Sequence, residues 1–150
     1  MKFILPLNQE EIRDIVEFAE FLSEVRELQP GRHARGVAVF PSEPTHFQGN
    51  PIVKASRLQQ VCFELAELVC KSRQEIGEKR FLVVESKFAI RRFVPQFVPF
   101  NLNVDVKMNT ECTHGTCEVN GYLDENCKIL AVAGRFIFLL KKMSNKGVSV

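Results

Sequence analysis

The sequence predicts an α+β fold in which an antiparallel sheet is wrapped around one long helix. Two observations carry the prediction. The stretch from Ser56 to about Ile76 places Leu58, Val61, Cys62, Leu65, Leu68 and Val69 on one helical face. Two strand-like segments precede it and four follow, and strands gathered in sequence around a single long helix predict a sheet covered on one face.

The elements follow in order. From Asn8 to about Phe21, Asn8 serves as N-cap with Glu11 three residues on, and Ile12, Ile15, Val16 and Ala19 recur at helical spacing. This makes residues 1–20 an N-terminal helical segment. Gln29-Pro30-Gly31-Arg32 places Pro and Gly where a type II turn wants them, and Gly36 to Phe40 continues as a strand, which predicts a hairpin. In the long helix, Ser56 and Gln59 supply a capping box. At ~1.5 Å per residue the helix is about 30 Å long, enough to cross a small sheet.

Phe81 to Ile90 is rich in β-formers. Phe100, Leu102, Val104, Val106 and Met108 alternate strictly with Asn101, Asn103, Asp105 and Lys107, the mark of a half-buried strand. Cys117, Val119, Gly121 and Leu123 alternate again, Asp124-Glu125-Asn126 turns the chain, and Cys127 to Leu140 makes a final strand. The tail from Met143 to Val150 reads as frayed.

Composition narrows the function. The 150 residues, 45% of them hydrophobic, suit one domain with a real core, and neither repeats nor a linker divide them. A formal charge of +2 with scattered basic residues gives no footprint for nucleic acid, so no such partner is expected. No apolar run has the length of a membrane span, and the start lacks a signal-peptide core. The five cysteines are odd in number and sparse, which suits reduced thiols, and the expected location is cytoplasmic.

The densest motif is Thr45-His46-Phe47-Gln48-Gly49-Asn50-Pro51-Ile52, just before the long helix. It resembles the hotdog-fold 3-hydroxyacyl-ACP dehydratases, whose H-F-x-G-x-P-[IV] pattern is matched at His46, Phe47, Gly49, Pro51 and Ile52. The order of elements agrees from the first hairpin to Leu140. The resemblance implies a hotdog fold, an acyl-ACP or acyl-CoA substrate, and a homodimer or dimer-based oligomer. It also implies that His46 removes the α-proton while an acid fourteen residues later on the helix, donated across a dimer interface, protonates the departing hydroxyl. That position is Gln60. A carboxamide donates and accepts hydrogen bonds but does not exchange a proton near neutral pH, so the chain departs from the family there. The family's Pro-Gly is also replaced, by Lys54-Ala55, although the N–H of Ala55 can still polarise a thioester carbonyl at a helix N-terminus.

Three functions follow. The leading one is dehydration, persisting if Glu64, one turn beyond Gln60, reaches the substrate; otherwise the stripe of Gln60, Glu64, Glu67 and Lys71 is solvated, as helical charge stripes usually are. The second is hydrolysis of an acyl thioester, with His46 as base and Gln60 orienting water. The third is a non-catalytic acyl-binding or scaffold module. No cofactor is needed for either reaction. Phe47, Gly49, Pro51 and Ala55 are the expected substrate-binding positions. Lys87, Arg91 and Arg92 either meet coenzyme A phosphates or an acidic carrier, as the corresponding segment does in similar proteins, or form a solvated strand end. Cys112, His114, Cys117 and Cys127 lack a recognised zinc spacing, so no metal is expected. Phe93 to Phe100, apolar with two prolines, cannot be a regular central strand and either lines an acyl tunnel or fills a subunit interface.

Overall fold

A computed structural model describes residues 3–41 and 52–142. The elements are β1 (Leu7–Asn8), α1 (Gln9–Ile15), β2 (Leu22–Gln29), β3 (His33–Ala38), α2 (Ala55–Lys71), β4 (Arg80–Ile90), β5 (Phe100–Met108), β6 (His114–Tyr122) and β7 (Leu130–Lys141). The seven strands of the described residues join one sheet in the order β1-β2-β3-β5-β6-β7-β4, and each neighbouring pair is antiparallel. This is the α+β class the sequence predicts.

Helix α2 lies against the sheet because its apolar face and the inward side of the strands need each other. Leu58, Val61, Cys62, Leu65, Leu68 and Val69 are buried, and the inward residues Phe100, Leu102, Val104 and Val106 of β5 meet them in one core. On the other side of β5, Asp105 and Lys107 face solvent, as period-2 alternation requires. Among the described residues, the strand order leaves β4 with a single strand partner, β7.

Several boundaries differ from expectation, each for a local reason. Asn8 and Glu11 do form the capping box of α1, yet the helix stops at Ile15, because Val16 turns to an extended backbone. At α2 the expected box of Ser56 and Gln59 is not made; the cap is Lys54, with no side-chain cap bond. The helix ends at Lys71 because the Ser72 hydroxyl donates back to the Val69 carbonyl at 2.6 Å and turns follow to Glu78. Ile76 still fills the core from that turn.

In the first hairpin, Arg32 N–H donates to the Gln29 carbonyl at 3.0 Å and Gly31 has φ +76°, the left-handed value a type II turn needs at that position. A side chain there would also strike Arg73. Strand β3 starts earlier than expected, at His33, because this tight turn lets pairing begin at Gln29 opposite His33. Strand β7 starts later, at Leu130. Asp124 accepts the N–H groups of Lys128 (2.9 Å) and Ile129 (2.8 Å), which draws Cys127 to Ile129 into the turn. The two-residue β1 was too short to leave a pattern.

Candidate functional site at the start of the long helix

The entry to α2 is fixed by the stretch that follows β4. Val53 N–H donates to the Val94 carbonyl at 2.8 Å, and Ile52 forms an antiparallel bridge with Pro95. Two residues later, Phe97 N–H donates to the Phe40 carbonyl at 2.9 Å. The short stretch Val94–Phe97 therefore holds the chain both before and after residues 42–51. His46, Phe47, Gly49 and Pro51 lie in that interval, outside the described residues.

At the helix start, the Lys54 carbonyl accepts from Arg57 N–H (3.0 Å) and Leu58 N–H (3.2 Å). Among the described residues no side chain caps the first turn, and Ala55 is exposed. The leading N–H groups of this 17-residue helix lie at the positive end of its dipole.

Gln60 and Glu64 are brought together on one face of α2. Glu64 is 6% exposed, and both of its oxygens are engaged. Oε2 accepts from Glu20 N–H at 2.9 Å, while Oε1 accepts from Phe21 N–H and Leu22 N–H, each at 3.2 Å. A carboxylate needs such donors when it is taken out of water. It clamps the chain entering β2 onto the helix, aided by Arg57, whose guanidinium lies 5.1 Å from the centre of the Phe21 ring. The stripe is therefore not solvated at Glu64, and that carboxylate makes these structural contacts. Farther along, Lys71 and Glu67 form an ion pair of 2.7 Å.

The half-buried Gln60 donates from Nε2 to Glu64 Oε2 at 3.1 Å. Because an ionised carboxylate accepts only, this contact fixes which way the carboxamide points. Its NH₂ faces Glu64 and its Oε1 remains an acceptor.

Sequence reasoning missed Gln96. It is 6% exposed, and its Nε2 has no hydrogen-bond partner among the described residues. A buried donor left in this state costs about 1–3 kcal/mol. Its neighbour Phe97 adopts φ +65°, rare for a residue with a side chain, and is 65% exposed. The available signal was a single carboxamide between two prolines in an otherwise apolar run.

Arg91 and Arg92 leave the end of β4, where their N–H groups donate to the Ala131 carbonyl at 2.7 and 3.3 Å. Both are exposed, and they run directly into Phe93 and Val94. Lys87 pairs in register with Arg135 farther back along β4. The cysteines are dispersed: Cys112 and Cys127 sit in turns, and Cys117 packs in the core. Burial pushes the thiols of Cys62 and Cys117 far up, and that of Cys70 to about 12. Among the described residues, no three metal-ligating side chains converge, and no helix is long and apolar enough to cross a membrane. A cleft of about 560 Å³ lies at the other end of α2, lined by Phe3, Ile4, Leu7, Ile15 and Lys71 among others. It contains none of Ala55, Gln60, Glu64, Arg91, Arg92 and Gln96.

Compared with family models and with curated protein sequences, the chain has no match. Solved structures do match. Cj0977, a sigma28-regulated virulence protein of Campylobacter jejuni, superposes with a TM-score of 0.70 at 10% identity, over 89% of this chain and 90% of its own. A hypothetical thioesterase of Streptococcus pneumoniae, solved with coenzyme A, gives 0.63 at 12% identity over 80% and 86%. The smu.793 protein of Streptococcus mutans, bound to acetyl CoA, gives 0.63 at 12% over 83% and 94%. At such identities the likeness is one of fold.

Proposed function

The chain has the hotdog fold, and from that premise we propose that it hydrolyses an acyl thioester at the N-terminal end of α2. The observation that carries this reading is the Gln60–Glu64 contact. A carboxamide whose NH₂ is held by a carboxylate offers a fixed acceptor oxygen and no exchangeable proton. It can orient a water molecule; it cannot protonate a departing hydroxyl.

The steps need only the protein's own groups, with His46 and Gln60 meeting across the dimer interface that the resemblance implies. The acyl carbonyl takes the N–H of Ala55 at the helix start, where the dipole favours the negative charge that develops on oxygen. Water held by Gln60 Oε1 attacks the carbonyl carbon, with His46 as the base that accepts its proton. The tetrahedral intermediate collapses with cleavage of the C–S bond, and the thiolate leaves. Arg91 and Arg92, exposed beside the Val94–Phe97 stretch, are the cations for coenzyme A phosphates or an acidic carrier. Two neighbours of this fold carry coenzyme A or acetyl CoA, which supports that class of ligand.

Dehydration remains the second reading, on the strength of the motif around His46. One experiment separates the two: saturated and 3-hydroxyacyl thioesters are offered in parallel. Hydrolysis releases free thiol from both, and dehydration produces enoyl absorbance from the second alone. Thiol release is the expected outcome. Inertness toward both, on coenzyme A and on carrier protein across chain lengths, would leave the binding-module reading instead.

A further inference from the structure

We propose that a polar pocket on the face of the sheet opposite α2 binds a free α-amino acid, holding its carboxylate on arginine and its ammonium on glutamate. The site is separate from the start of α2 and independent of the acyl-thioester reading.

The pocket, about 260 Å³ in volume, opens between β2, β3, β5 and the turn that joins β6 to β7. Arg26, Glu27, Arg35, Asn101, Glu125 and Asn126 line it, among others. Two contacts hold the turn over the sheet. Arg35 Nη2 donates to Cys127 Sγ at 3.1 Å, and Arg26 Nη1 lies 3.7 Å from Glu125 Oε1.

Asn101 is the feature that calls for a ligand. It stands in register between Val37 of β3 and Tyr122 of β6. Phe100 and Leu102 on either side of it point into the core, so period-2 alternation sends Asn101 to the opposite face, into the pocket. The residue is only 7% exposed, yet among the described residues its carboxamide makes no hydrogen bond. A carboxamide carries both donors and an acceptor, and leaving them unmet at this depth is costly. A ligand that engages them removes that cost.

The charges around Asn101 select the ligand. Two guanidinium groups and two carboxylates line the pocket, so a ligand of one sign meets attraction on one side and repulsion on the other. A molecule bearing both signs a few ångströms apart satisfies both. The arginines are paired already, Arg35 with Glu27 at 2.9 Å and Arg26 with Glu24 at 2.8 Å, but ion pairs this exposed are weak and readily shared. Arg26 Nη2 and Arg35 Nε make no hydrogen bond among the described residues, which leaves donors for a carboxylate. The volume is of amino-acid size, and the polar walls favour a short or polar side chain over an aromatic one.

The test titrates each free α-amino acid into the full chain by calorimetry, beside the N-acetyl and carboxamide derivatives of any that binds. At least one with a short or polar side chain should bind saturably, and blocking either charge should weaken it by about 10- to 100-fold. Asn101→Leu should weaken it by about 5- to 100-fold without lowering the melting temperature, because the change removes an unpartnered carboxamide. Arg26→Gln, at an exposed position, should weaken it by about 10-fold. Backbone amide resonances of Gly36, Asn101 and Asn126 should shift on binding. The absence of binding by any amino acid at millimolar concentration overturns the proposal. So does binding that is indifferent to the blocked charges, or that persists unchanged in both variants. A fall in melting temperature of Asn101→Leu with binding intact marks Asn101 as structural and overturns it too.

Discussion

At Glu64, two carboxylate oxygens satisfy three consecutive backbone N–H groups and one carboxamide, so the side chain has no spare capacity. In Glu64→Gln one oxygen becomes an NH₂ that must face a backbone donor. We expect a loss of about 2–3 kcal/mol in chemical denaturation, with hydrolysis falling as well because Gln60 loses its orienting partner. A change within 0.5 kcal/mol would mean that the clamp contributes little. Gln60→Glu probes the neighbouring position. It sets a second carboxylate beside Glu64, and like charges so close raise the proton affinity of the pair. Hydrolysis should fall, because the oriented acceptor is gone. Should the site instead be built for dehydration, the same change supplies the missing acid and enoyl product should rise, by up to the ~10²–10⁴-fold typical of general acid catalysis. Adding His46→Ala should abolish any such gain.

The residue scale also marks what the sequence could reveal. Gln60 stands out because a motif places an acid there. Glu64 was visible as a polar residue on a helix face, but its buried clamp depends on Glu20 to Leu22, more than forty positions away, and no local pattern encodes such a contact. Gln96 was hidden by the apolar character of its surroundings.

Among the elements, β4 carries the next consequence. Among the described residues it is an 11-residue edge strand paired with β7, and Val84 bulges out of that pairing at 56% exposure. The chain that follows exposes Phe93 at 72% and Phe97 at 65%. An edge this long and this apolar invites pairing with another strand. We expect a homodimer formed through β4, measured by light scattering at micromolar concentration. The pair Val84→Lys and Phe93→Lys should shift it toward monomer. A monomeric wild type would count against the expectation.

Helix and strand periods were readable wherever one face meets the core, as in α2 and β5. Ends were not, because side-chain bonds decide them: Ser72 stops α2 and Asp124 delays β7. Their donors and acceptors have no periodicity to betray them.

Across the whole molecule, the buried thiols make a pH prediction. Cys62, Cys70 and Cys117 have folded pKa values raised by burial above the ordinary 9.0, that of Cys70 to about 12. The unfolded chain therefore loses these protons first as pH rises. Their contribution to stability is intact below pH 9.0 and declines above it, toward about 12 for Cys70. The denaturation midpoint should fall steadily above that pH, and less so in Cys70→Ala once its cavity cost at neutral pH is subtracted. In folded protein at neutral pH, the half-exposed Cys127 should react with a thiol reagent well before these three.

The fold was legible because the order of strands around one helix is itself a pattern. The proposed reaction was less so, since it turns on how one carboxamide is held. The most direct test is a turnover of a 3-hydroxyacyl-coenzyme A thioester in ¹⁸O-labelled water, with the products read by mass spectrometry. Hydrolysis at Gln60 predicts free thiol and a carboxylic acid carrying one ¹⁸O atom. An enoyl thioester with the carrier still attached and no label would contradict it.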